Sequence, residues 1–288
     1  MTAEPPEIAG VEHRYVDAGG LRVHVAEAGA GEPVLLLHGW PQHHYMWHRV
    51  IERLAPRYRL IAPDLRGFGW TEAPGHGYDG ETFARDQIAL LDALGIERVK
   101  LIGHDWGGWT SMLLGLNYPE RIERMVALDT PHPWQHFRLS QLPELWRTWY
   151  AAANATPGLG AWLHRRTGHV AGILRRGNVG TPFSDAELDA YADSFREPER
   201  AQAASALYRY YHRVIGEALR GKFRAQRLTV PTVLMFGARD LYVSPKFTEG
   251  YERHADDMRL EIVPDSGHFL VDEQPDLVSE RAIDFFGG

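Results

Sequence analysis

Short, largely apolar runs at residues 34–37, 60–62, 99–102, 125–128, 232–236 and 260–263 set the hydropathy pattern of the chain. Runs of this length without an alternating polar face predict strands covered on both sides in a mostly parallel sheet. Residues 11–17 and 21–27 differ: joined through Ala18-Gly19-Gly20, they predict an antiparallel hairpin at a sheet edge. Helix-length segments such as 82–94 separate most of the apolar runs, as right-handed crossovers require. The pattern therefore predicts an α/β architecture, with a sheet of about eight mostly parallel strands and helices on both faces. One connection is too long for a crossover, because roughly a hundred residues separate Asp129 from Thr232. Residues 133–227 are rich in Trp, Tyr, Arg and Ala at helical spacing, and Ser184 with Glu187 reads as a capping box ahead of Leu188 and Tyr191. The expected organisation is a core of residues 1–132 and 228–288 with a helical cap, 133–227, inserted after the sixth strand. Ligands of open α/β sheets bind at the carboxyl edge of the strands, so a cap there would exclude water.

Composition narrows the class of function. With 288 residues, 44% of them hydrophobic, the chain can bury one large core. A formal net charge of -7 disfavours nucleic acid and anionic membranes as partners. The absence of cysteine excludes disulfides and thiolate metal sites. The first nine residues are polar and contain proline, with no basic start followed by an apolar run, so no secretory signal or membrane span is expected. The expectation is a cytoplasmic monomer or homodimer acting on a small molecule.

The chemistry begins at Val99-Lys100-Leu101-Ile102-Gly103-His104-Asp105-Trp106-Gly107-Gly108, where an apolar strand runs into a glycine-flanked turn with Asp105 at its tip. This reads as a nucleophile elbow, in which small residues let the following helix approach closely. An aspartate there is already ionised and can attack a saturated carbon directly, giving an alkyl ester. The turn His38-Gly39-Trp40-Pro41 follows an earlier strand, so the backbone N–H groups of Trp40 and Trp106 are expected to form an oxyanion hole. His38 and Pro41, with Trp106 and Trp149, are expected to contact substrate. Ester hydrolysis needs a base and a group to orient it. Among 15 histidines, His268 is the candidate, because it follows a strand end and Gly267. Asp240, past the preceding strand, is its expected acid. Asp129 is a rival that could instead cap the turn Thr130-Pro131-His132-Pro133. His43, His44, His132 and His136 lack the spacing and the carboxylate companion of a metal site, so neither metal nor cofactor is expected.

Through His38-Gly39-Trp40-Pro41, Asp64-Leu65-Arg66-Gly67-Phe68-Gly69, Gly103-His104-Asp105-Trp106-Gly107-Gly108, Asp240 and Gly267-His268, the chain resembles the α/β-hydrolase superfamily over nearly its whole length. The elbow aspartate narrows the resemblance to epoxide hydrolases and dehalogenases. Similarity to epoxide hydrolases implies two cap tyrosines that protonate the opening alkoxide. Tyr150, seven residues before Pro157-Gly158, resembles the first, although Ala151 follows it where relatives often carry glutamine. Tyr208 resembles the second, with Tyr210 and Tyr211 as neighbouring alternatives. Similarity to haloalkane dehalogenases implies instead that the Trp106 indole holds a halide. Trp40 stands where that family often has asparagine, which leaves Trp146, Trp149 or Trp162 as the second donor. Fluoroacetate dehalogenases typically carry arginine at the position of Trp106. The resemblance thus implies an enzyme that hydrolyses an apolar or aromatic epoxide to a vicinal diol through an Asp105 ester, with the epoxide and water as its only partners. Haloalkane dehalogenase is the alternative, and a non-catalytic binding protein a minor one.

Overall fold

The computed structural model describes residues 4–135 and 149–287. The two segments near the start form β1 (Val11–Ala18) and β2 (Leu21–Ala28), paired in antiparallel register from Val11 opposite Ala28 to Ala18 opposite Leu21. The six apolar runs become β3 (Glu32–Leu37), β4 (Tyr58–Pro63), β5 (Val99–His104), β6 (Ile122–Leu128), β7 (Thr232–Gly237) and β8 (Met258–Val263). Together they make one eight-stranded sheet in the order β1-β2-β4-β3-β5-β6-β7-β8, parallel from β4 to β8. The largely apolar character of the inner runs has its physical reason here, since β3, β5 and β7 are covered from both sides and their residues Leu35, Leu36, Leu101, Ile102, Leu234 and Met235 are fully buried, whereas the edge strand β8 is not covered on both faces and leaves Ile262 exposed.

Helices α1 (His48–Leu54), α2 (Gly80–Ala93), α3 (Trp106–Asn117) and α10 (Pro275–Phe286) cover the sheet, with the short α9 (Leu270–Glu273) following β8. Asp79 opens α2 by accepting the N–H of Thr82.

Between β6 and β7 lie α4 (Trp149–Ala155), α5 (Leu159–His164), α6 (Thr167–Gly177), α7 (Asp185–Asp193) and α8 (Pro198–Leu219). The capping box at the start of α7 forms as its sequence predicts, with Ser184 and Glu187 bonding reciprocally. Helices α4 and α5 pack on α8, and α6 packs on α7. Among the described residues no helix is long and apolar enough to cross a membrane.

Candidate active site

Asp105 sits between the last residue of β5 and the first turn of α3 with φ 50° and ψ −114°. A non-glycine residue there carries strain of order 1–3 kcal/mol, held in place by surrounding packing. The packing is close: a Cβ on Gly107 would lie 2.0 Å from the carbonyl oxygen of Leu37, and one on Gly103 would lie 2.2 Å from Ser111 Oγ. The two glycines are therefore what allow α3 to start against β3 and β5, and this aims the Asp105 carboxylate off the sheet edge. The backbone N–H of Trp40 donates to Asp105 Oδ2 at 2.9 Å, and the N–H of Trp106 also bears on the carboxylate. Burial nevertheless pushes the carboxyl up to about 6, against the opposing pull of His268 and the two N–H groups.

His268 follows β8, and its Nε2 lies 3.9 Å from Asp105 Oδ1. On the other side of the ring, Nδ1 is 2.8 Å from Asp240 Oδ2. The second oxygen of Asp240 accepts the N–H groups of Tyr242 (2.7 Å) and Val243 (3.0 Å), which fixes the carboxylate that orients the ring. Burial works against a charged imidazole, but Asp240, then Asp105 and Asp129, outweigh it and raise His268 to about 10.

Asp129 neither bonds the His268 ring nor caps the 130–133 turn. It takes a positive φ of 46° and accepts the N–H groups of Gly237 (2.8 Å) and Leu270 (3.3 Å), bracing the loops after β7 and β8. Burial, reinforced by the nearby charge of Asp240, holds its carboxyl well above the usual range. His104, just before Asp105, has its Nε2 2.7 Å from the carbonyl oxygen of His268, the geometry of an N–H donor to that carbonyl.

A cavity of about 360 Å³ opens above Asp105 and His268. The core contributes Trp40, Trp106, Trp109, Tyr242 and Phe269 to its wall, while α4 contributes Tyr150, α6 contributes Ile173, and α8 contributes Tyr208, Tyr211, Val214, Ile215 and Leu219. Tyr150 and Tyr208 meet edge to face, with centroids 5.8 Å apart, and Tyr208 packs edge-on against Trp40 at 5.0 Å. Burial keeps both phenols well above the ordinary tyrosine range, so they are protonated. Among the described residues neither phenol has a hydrogen-bond partner in the protein. No lysine or arginine is found among the described residues of the wall.

A family model for the α/β-hydrolase fold matches residues 32–275. This chain is an α/β hydrolase. Human Epoxide hydrolase 4 is 30% identical over 287 residues, covering 93% of this α/β hydrolase and 77% of the human protein. A fluoroacetate dehalogenase of Burkholderia sp is also 30% identical, covering 93% of this chain and 91% of its own. The crystal structure of Cfl2 from Burkholderia cenocepacia matches with a TM-score of 0.87 at 30% identity, covering 98% of both chains.

Of the residues that the sequence nominates, this α/β hydrolase brings together Asp105, His268, Asp240, Tyr150, Tyr208, Trp40 and Trp106. Three others stand apart from the cavity. His38 is fully buried, its Nε2 accepting the N–H of Leu65 at 2.8 Å, so it supports the loop after β4 and does not line the cavity. Pro41 follows Trp40 but does not reach the wall. Trp149, at the start of α4, is 57% exposed, because the helix turns Tyr150 inward and its neighbour outward. Trp162 is likewise 52% exposed, and Trp146 and His136 lie outside the described residues. Tyr210 faces away too, bonding Glu81 and the indole of Trp109.

Sequence reasoning overlooked Tyr242, two residues past the acid, and gave Tyr211 only a neighbour's place, although three-residue spacing on α8 puts it on the same face as Tyr208. Away from the cavity, ligand atoms of His24, His44 and Asp64 fall within 4.8 Å of one another. Asp64 already receives both imidazoles at 2.8 and 2.9 Å and the N–H groups of His44 and Trp70, each at 2.8 Å, which makes this carboxylate a saturated hydrogen-bond hub.

Proposed function

We propose that this α/β hydrolase opens neutral, apolar epoxides to vicinal diols through an alkyl ester on Asp105. The observation that carries the reading is the pair of protonated phenols, Tyr150 and Tyr208, sharing the apolar cavity of the elbow carboxylate. Such a pair suits a leaving oxygen that stays attached to the substrate and needs a proton. In the first half of the cycle an Asp105 oxygen attacks one ring carbon, the carbon–oxygen bond of the epoxide breaks, and the alkoxide takes a proton from a phenol. In the second half His268 removes a proton from water, and the resulting hydroxide attacks the ester carbonyl carbon. The oxyanion then rests on the N–H groups of Trp40 and Trp106. Collapse expels the alkoxide, which takes the proton of the new Asp105 carboxyl and leaves as the diol, while His268 keeps the proton drawn from water and is back in its starting state. The sum is one epoxide and one water giving one diol.

The charges support this order of events. While Asp105 is a carboxylate it helps hold the proton on His268. Ester formation removes that negative charge and lowers the proton affinity of the imidazole, which passes its proton to the tyrosinate and is then free to act as the base.

The Trp106 indole in the wall favours a second reading, haloalkane dehalogenation, but Trp149 and Trp162, which could supply a second halide donor, are exposed and do not line the cavity. A carboxylate-bearing substrate, as the name of the Burkholderia relative implies for that protein, would lack a cation to meet it among the described wall residues. Intact-mass analysis of His268→Gln after incubation with styrene oxide and with 1-chlorobutane decides between the two. The expected result is an adduct equal in mass to the whole epoxide on the peptide containing Asp105. An adduct from chlorobutane lacking its chlorine, with none from the epoxide, would replace this reading by the second.

A further inference from the structure

We propose that Tyr242 is a positioning residue through which α6 holds His268 in place for hydrolysis of the Asp105 ester; the inference rests on the epoxide-hydrolase reading above. Tyr242 touches both halves of the site. Its ring stands edge-on to the His268 imidazole, centroids 5.3 Å apart at 83°, and edge-on to Tyr150 at 4.9 Å. Its backbone N–H is one of the two that fix Asp240 Oδ1. Its hydroxyl leaves this cluster and donates to the carbonyl of Ile173, within α6, at 2.6 Å.

The same helix reaches the base by a second route. The N–H of His268 donates to the carbonyl of Gly177, the last residue of α6, at 2.9 Å. Gly177 is a close approach and not a spacer: a Cβ there would lie 2.5 Å from the Tyr242 ring and 2.6 Å from the ring of Phe269. The end of α6 and the loop carrying the base therefore meet without free space, and one helix grips His268 twice, through its own backbone and through the Tyr242 hydroxyl. A shift of α6 along the cavity would carry the imidazole with it.

The two half-reactions depend on this grip unequally. Attack by Asp105 on an epoxide uses the elbow and the phenols, whereas hydrolysis needs the imidazole within reach of a water above the ester. A misplacement of about 1 Å in such an alignment costs on the order of 10²-fold in rate. Tyr242→Phe is the informative change, because it keeps the ring contacts with His268 and Tyr150 and deletes only the bond to α6.

Rapid mixing of Tyr242→Phe with excess styrene oxide, followed by quenching and intact-mass analysis, tests the assignment. The expected result is an alkyl-enzyme that forms at close to the wild-type rate and decays roughly tenfold or more slowly. The adduct then becomes the main steady-state species, and kcat falls while kcat/KM is held. Gly177→Ala, which forces the end of α6 off the loop by a different route, should give the same split. Unchanged decay, or formation and decay slowed by the same factor, would overturn the positioning role. If neither the wild type nor His268→Gln reacts with the epoxide, the epoxide-hydrolase reading fails instead, which this readout distinguishes from failure of the Tyr242 assignment alone.

Discussion

At Asp105, burial and chemistry pull in opposite directions. The burial that shapes the cavity also raises the carboxyl to about 6, so in the proposed cycle protonation competes with nucleophilic attack just below neutrality. Only the ionised form attacks, and its fraction grows as pH rises through that value. The rate of ester formation in single-turnover experiments with His268→Gln should therefore climb with pH and level off above it. The replacement also removes the imidazole that helps ionise Asp105, so the midpoint in this variant should lie at or above about 6. A flat profile from pH 5 to 8 would mean that burial does not govern the nucleophile. The same sign applies to stability. A carboxyl whose folded value lies above its unfolded one weakens the fold progressively from about pH 4 upward, with the full effect reached above about 6. The site thus carries both backbone strain and an unfavourable charge at working pH, in keeping with a residue kept for reactivity.

Helix α8 shows how phase along one element divides structural from chemical side chains. Tyr208 and Tyr211 face the cavity, whereas Tyr210 points at Glu81 and Trp109. Replacing Tyr150 and Tyr208 together by Phe should lower epoxide turnover by about 10²- to 10⁴-fold, the usual scale of general acid catalysis. Tyr210→Phe should leave turnover near the wild-type level and cost about 1 kcal/mol of stability for its lost hydrogen bonds, measurable by chemical denaturation. Such a phase is hard to read from Leu207-Tyr208-Arg209-Tyr210-Tyr211, because exposed Arg209 and Arg213 mark the outside of α8 without telling which buried flank, that of Tyr208 or that of Tyr210, faces the cavity. The strands were legible for the converse reason: burial on both faces of a parallel sheet imprints an apolar run that survives without any partner being known. The elbow and the Gly267-His268 turn were legible because neighbouring chain packs so closely on them that only glycine fits. Trp149 misled because its neighbour in sequence is a cavity residue, and adjacent helical positions point about 100° apart. Tyr242 went unnoticed because its role lies in a contact with α6, some seventy residues away in sequence.

On the scale of the whole molecule, Asp64 ties the antiparallel edge of the sheet to the cavity side. It joins His24 of β2, His44 beyond β3 and the backbone of Trp70 beyond β4. Burial works against its charge, yet the attraction and hydrogen bonds of His44 and His24 prevail and hold the carboxyl well below the usual range. Its stabilisation is therefore complete above about pH 4 and is lost only as pH falls further, through the depressed folded value. Asp64→Ala should lower stability by about 3–5 kcal/mol in denaturant titrations between pH 5 and 7, since it strands several buried donors. The gap from the wild type should close in strong acid, and a gap that instead widens there would reverse the sign assigned to this carboxylate. At the far end of the same sheet edge, the N–H of Trp40 holds one oxygen of Asp105 and leaves the other, 3.9 Å from His268, to react. In the proposed cycle the oxygen that departs with each diol is thus the aspartate's own, and the one drawn from water takes its seat for the next substrate. Moved into heavy-oxygen water, the protein would release its first diol unlabelled and its second labelled, always one product behind its solvent.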